Sequence, residues 1–178
     1  MTTTNSHRID DGAIGAHVFA FEPISPADAD ALRAAGGEVY AADAVPGFPC
    51  RQCLRDAAIG EELILVSHDP FDHDSPYRSA SPIFLHRDDC GGPDRVNGAG
   101  GPGRPGDEIG LPDQLTVRQL AVRAFDPEAM MLDATVIDGS ELAATIDAFF
   151  ANPSVDHAQV YFAQRGCWAT RVTRGDRG

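Results

Sequence analysis

Two of the chain's four cysteines sit in one proline-stiffened stretch, Pro46-Gly47-Phe48-Pro49-Cys50-Arg51-Gln52-Cys53-Leu54-Arg55-Asp56, and four kinds of chemistry can be built from it. Cys50-x-x-Cys53 with His86-x-x-x-Cys90 supplies three thiols and an imidazole, the donors of a tetrahedral zinc site. Two features oppose that reading. A zinc knuckle places glycine near its cysteines, and Arg51, Gln52 and Leu54 supply none. Pro46 and Pro49 favour an extended backbone, which would send the Cys50 and Cys53 thiols to opposite faces.

A second chemistry is nucleophilic. Cys50 stands beside Arg51, and Arg78 and Arg165 would add positive potential if their segments converge on it, stabilising the reactive thiolate. His68, His73 or His86 could then act as base. A third treats Cys50 and Cys53 as a redox dithiol, but proline precedes rather than separates them and no βαβ pattern flanks them. The fourth is anion recognition, with Arg51, Tyr77, Arg78 and Arg165 gripping a carboxylate or phosphate and Cys167 following in the same segment as Arg165. Each has a plain counterpart: buried thiols, and arginines paired with nearby acids, as Arg51 with Asp56.

Composition narrows the partners. The chain has 178 residues, 43% of them hydrophobic, long enough for one domain with a core that needs no staple. It carries 27 acidic and 14 basic residues, all of the latter arginine, for a formal charge of -13. Such a surface repels nucleic acid and anionic membrane. The arginine-for-lysine usage points to a GC-rich bacterial source. No apolar run is long enough to span a bilayer and no signal-type segment opens the chain, so a cytoplasmic location with reduced thiols is expected.

The elements that must position these residues follow in order. Residues 1–12 are polar and aperiodic, an expected disordered tail, and 175–178 form a second tail of a single domain over 13–174. Ala16–Ile24 reads as a strand, and Ser25-Pro26-Ala27-Asp28 as a helix start that Gly36-Gly37 ends. Glu61–Ser67 and Pro82–Arg87 read as an antiparallel pair joined by a long polar loop. Residues 91–114 hold eight glycines and four prolines, a mobile insertion. Leu115–Phe125 and Ala129–Ile137 make a second hairpin around Asp126-Pro127-Glu128. Leu142, Ile146, Phe149 and Phe150 fall on one stripe of a helix that Asn152-Pro153 ends, and Val160–Phe162 with Trp168–Val172 make a third hairpin. The sum is an α+β fold, a mainly antiparallel sheet built from hairpins with two short packed helices.

The remaining motifs read as structure. Met130-Met131 and Phe149-Phe150 fill core. The aspartates at 69, 72, 74, 88 and 89 lack the spacing of a calcium loop, and the insertion's glycines precede neither lysine nor helix, so no phosphate cradle is present.

Taken together, Pro46-Gly47-Phe48-Pro49-Cys50-Arg51 with Leu54, Asp56-Ala57 and Gly60-Glu61, then Ser75-Pro76-Tyr77-Arg78, Arg123-Ala124-Phe125-Asp126, Met130-Met131, Asp133-Ala134 and Arg165-Gly166-Cys167, resemble the bacterial domain-of-unknown-function family 1203. The resemblance implies no assigned activity. The leading expectation is therefore a pocket where Cys50, Arg51, Tyr77, Arg78, Arg165 and Cys167 meet, binding or converting a small anionic metabolite with Cys50 as the catalytic thiol. The competing expectation is a non-catalytic domain stabilised by zinc on Cys50, Cys53, His86 and Cys90, or an interaction module.

Overall fold

The computed structural model describes residues 19–93 and 111–175. The expected N-terminal tail, residues 176–178 and most of the 91–114 insertion lie outside that set. β1 (Phe19–Glu22) leads into α1 (Pro26–Ala35), which starts as its residue types require. Ser25 Oγ accepts the Asp28 N–H at 3.1 Å, Pro26 fills the first turn, and Gly36 ends the helix at φ 83°. β2 (Glu38–Ala41) has no counterpart among the expected strands, because its four residues are all exposed and show no alternation.

β3 (Glu62–His68) and β4 (Ser81–His86) form the expected antiparallel pair, and β2 joins β3 to complete a three-stranded sheet in the order β2-β3-β4. The expected strand from Leu115 divides into α2 (Asp113–Thr116) and β5 (Gln119–Phe125). Gly139 holds that corner: its N–H donates to Arg118 O at 2.9 Å, and a Cβ there would lie 1.9 Å from Leu115 O, so only glycine allows the approach.

β6 (Met131–Asp138) begins two residues later than its composition predicts. The turn before it is longer, with Ala129 left-handed at φ 58° and Asp126 Oδ1 accepting the amides of Glu128 and Met130. A 3₁₀ turn at 139–141 leads to α3 (Leu142–Phe150), and β7 (His157–Phe162) and β8 (Cys167–Arg174) form the third hairpin.

The second sheet is antiparallel throughout, ordered β1-β8-β7-β5-β6. One of its faces buries Leu120, Val122, Ala158, Val160 and Phe162 against Leu142, Ile146, Phe149 and Phe150 of α3. Around β7 and β8 the other face meets the smaller sheet, where Ile64, Val66, Ile83 and Leu85 pack with Tyr161, Trp168, Cys50 and Cys53. The fold is α+β, and its first cysteine pair is part of the core between the sheets. No described helix is long and apolar enough to cross a membrane.

Candidate metal centre

The segment carrying Cys50 is extended only over Pro49 and Cys50 and then turns. Cys50 bridges Phe84 in parallel, with the Arg51 N–H donating to Phe84 O at 3.0 Å and the Ile24 N–H to Arg51 O at 3.0 Å. The Leu54 N–H then donates back to Cys50 O at 3.1 Å, closing a helical turn that puts Cys50 and Cys53 on one side. The expected extended path over 50–53 is thus corrected. Proline restricts itself and the residue before it, so Pro49 acts on Phe48 and leaves the following residues free to turn.

The missing knuckle glycine has a substitute. Leu54 takes the left-handed conformation at φ 55°. That strain costs about 1–2 kcal/mol and is offset by the about 1.5–3 kcal/mol from burying the side chain, which is 1% exposed.

β4 delivers His86 at its last residue, where the His86 N–H points at Cys50 Sγ, 3.4 Å away. His86 Nδ1 lies 3.6 Å from Cys53 Sγ, and Cys50 Sγ lies 4.0 Å from Cys90 Sγ. The Cys90 turn is tied to the knuckle through Asp89 Oδ1, which accepts from Gln52 Nε2 at 3.0 Å and from the Gly91 N–H at 2.8 Å. All four donor atoms fall within 4.8 Å of one another. A tetrahedral zinc with bonds of about 2.3 Å to sulfur and 2.0–2.1 Å to nitrogen has edges of about 3.8 Å between sulfurs and about 3.6 Å from sulfur to nitrogen. Two of the six spacings, 4.0 and 3.6 Å, are close to those edges, and all six lie within 4.8 Å.

The surroundings orient the histidine. Its other nitrogen, Nε2, faces Glu61 Oε2 at 3.3 Å, the carboxylate partner that commonly fixes the tautomer of a metal-binding imidazole. Glu61 is itself held by the Arg55 fork at 2.7 and 2.8 Å and by the Ala58 N–H at 2.7 Å. Hydrogen bonds from that fork outweigh burial and keep the Glu61 carboxyl down at about 2.

The thiols are in tension. Burial pushes the Cys50 thiol up, but hydrogen bonds from Cys53, Cys90 and His86 together bring it well below its ordinary value. The Cys53 thiol is driven up by its hydrogen bonds to Cys50 and Cys90 and by burial. For His86, burial pulls down, and the hydrogen bonds to Cys50 and Cys90 override it to about 10. Three thiolates this close do not coexist without a cation, and a divalent ion is what such a cluster would accept.

Arg51 is the second correction. It is 1% exposed, and its guanidinium donates to Trp168 O at 2.8 Å, to Cys167 Sγ at 3.1 Å and to Pro49 O, while lying 4.9 Å above the Phe162 ring. Asp56 pairs with Arg118, at 2.6 and 2.8 Å, and not with Arg51. Arg78 lies in the β3–β4 loop, bound to Asp69 at 2.5 Å and Asp74 at 3.3 Å. Arg165 is exposed in the β7–β8 turn, and Tyr77 packs edge-on against Phe125 at 6.0 Å. Arg51 and Cys167 therefore meet, but among the described residues no contact brings Tyr77, Arg78 or Arg165 to them. Cys50 is fully buried.

The match to known families agrees with the motifs. The model of the family described as "Protein of unknown function (DUF1203)" covers residues 47–174, well over half of the chain. The chain belongs to the DUF1203 family. All four clustered donor residues fall inside the DUF1203 match. Comparison with curated proteins and with solved structures returned no match.

Residue types and spacing pointed to the four clustered donors. Glu61, Arg55 and Gln52 were missed. Glu61 lies 25 positions before His86, and nothing local marks it as that histidine's partner.

Proposed function

We propose that this DUF1203 protein is a non-catalytic, metal-stabilised domain in which Cys50, Cys53, His86 and Cys90 hold one zinc ion. The observation that carries the reading is the set of four donor atoms within 4.8 Å, one from each residue. Soft sulfur donors with one imidazole in a tetrahedral arrangement suit zinc. Four protein ligands leave no open coordination position, and three of the four are buried, so the reading is structural.

When bound, zinc would supply a cross-link. Cys50 and Cys53 sit beside β4, His86 ends β4, and Cys90 leads into the glycine-rich stretch, so the ligands join the core between the sheets to the chain beyond it. The net charge of minus one on three thiolates and a divalent ion is met by Arg55, which interacts with the Cys50 and Cys53 charges, and by buried Arg51 close to Cys50. The anion-binding reading has weaker support, since Arg51 is occupied by internal carbonyls and Cys167, Arg78 by aspartates, and Arg165 lies exposed in the β7–β8 turn.

The test is elemental analysis of tag-free protein. The expected result is one zinc per chain, lost on Cys53→Ser and His86→Gln. A protein that folds normally and carries no metal after expression in zinc-supplemented medium removes the proposal.

A further inference from the structure

Strand register sets a row of polar side chains on the sheet face turned away from α3. Arg123 on β5 stands opposite Gln159 on β7, which stands opposite Arg171 on β8, and directly opposed residues share a face with Cβ atoms about 5 Å apart. The loop at 69–77 folds over this row. Phe71 packs edge-on against Phe125 at 5.5 Å, and Ser75 Oγ donates to Ala129 O at 2.7 Å. Between loop and sheet lies a cleft of about 40 Å³ whose lining includes Phe71, Asp72, Asp156, His157, Gln159 and Arg171.

One buried donor on the sheet side has no acceptor. Arg123 lies 4.3 Å over the Tyr161 ring, and among the described residues no carboxylate is within ion-pair reach of it, in a chain of charge -13. Arg171 Nε is buried without a hydrogen-bond partner, with Glu22 Oε2 at 3.7 Å beyond such reach, and its other nitrogens lie 3.3 Å from Asp72 and 3.8 Å from Asp156. Gln159 is 1% exposed, and its Oε1 takes the Tyr161 hydroxyl at 2.6 Å, leaving the amide NH₂ as its donor end. His157 Nδ1 is held by Asp156 at 2.9 Å.

The rim carries the opposite charge. Asp72 is largely exposed and Asp156 about half exposed. A simple anion would be repelled by these carboxylates and by Glu22, and a simple cation would leave Arg171 Nε without an acceptor. A molecule with a carboxylate and an ammonium on neighbouring atoms satisfies both. We propose that this cleft binds a small zwitterion of the α-amino-acid class, its carboxylate on Arg171 and the Gln159 amide and its ammonium toward Asp72 and Asp156. Since one water needs about 10–15 Å³, the cleft holds the head group, and anything larger projects outward. The site shares no residue with the metal cluster and stands or falls separately from it.

The experiment titrates the full-length protein with glycine, sodium acetate or methylammonium chloride at constant ionic strength, following amide chemical shifts. Concentrations run to about 50 mM, well above the millimolar Kd a head group of this size can reach. Glycine should saturate and shift amides of 157–159 and 171, with acetate and methylammonium each at least about tenfold weaker. Arg171→Gln should abolish saturation, and Asp72→Asn, a change at an exposed side chain, should weaken glycine at least about threefold and strengthen acetate, which loses a repelling charge. The proposal is overturned by absence of saturable glycine binding, by acetate binding as tightly as glycine, or by an unchanged glycine response in Asp72→Asn; that last variant decides the matter even where Arg171→Gln does not fold.

Discussion

Glu61 offers the sharpest test of the metal centre, because it touches no metal yet positions a ligand. Replacing it by alanine removes the acceptor for His86 Nε2 and frees the Arg55 fork. Loss of such a partner costs about 10–100-fold in metal affinity. The contact here is long, 3.3 Å, and the carboxylate is about a third exposed, which places the effect at the low end. The expectation for Glu61→Ala is a zinc Kd about tenfold weaker, or about 1.4 kcal/mol. Glu61→Gln retains a carbonyl acceptor and should fall between alanine and wild type. The assay is competition against a chromophoric chelator at fixed pH and salt, with stoichiometry measured in parallel. Zinc affinity of Glu61→Ala within twofold of wild type, at full stoichiometry, would show that His86 does not bind through Nδ1 with Glu61 behind it.

Further expectations concern ligands, core and pH. Cys90 is the ligand nearest the surface, so Cys90→Ser should keep a weakened three-ligand site, whereas Cys50→Ser should lose zinc altogether; dialysis against chelator followed by elemental analysis separates them. Arg51→Met leaves two carbonyls and the Cys167 sulfur without their buried donor, and an unmet buried group costs about 1–3 kcal/mol, so a loss of about 3 kcal/mol is expected in urea unfolding. Leu54→Gly relieves about 1–2 kcal/mol of backbone strain but forfeits the buried side chain and leaves a cavity, so the net change should be destabilising by about 1–3 kcal/mol.

His68 and His157 are both pushed below the ordinary 6.5, chiefly by burial, partly opposed by nearby aspartates. The unfolded chain therefore binds more protons, and their contribution is complete above pH 6.5 and lost as pH falls toward the lowered folded values. A His68→Gln, His157→Gln double variant should lose less stability than wild type between pH 7 and pH 5. Equal losses in the two proteins would refute it.

Local chemistry was readable and long-range assembly was not. The capped helix at Ser25 and the apolar stripe at Leu142–Phe150 depend on neighbours within a few residues and formed where their patterns pointed, whereas the second hairpin formed with shifted ends, its strands beginning at Gln119 and Met131. The pairing of β1 with β8 joins the two ends of the domain and leaves no local trace. In the site, the ligand types and their spacing were legible. The turn at Cys50–Cys53 was not, because it relies on Leu54 adopting a conformation more usual for glycine. Arg51 misled for a related reason: its partners are main-chain carbonyls, one of them 117 residues away, and carbonyl positions cannot be read from residue types.

The strand order also fixes a timetable. The three-stranded sheet and all four clustered donors occupy residues 38–90, so these strands can pair before the larger sheet that completes their core. β1 is made first but must wait for β8, the final strand, so the oldest strand is the last to be zipped in. Pulse-labelling during refolding should find amides at 62–86 shielded from exchange ahead of those at 19–22; simultaneous protection would mean that the two halves close as one.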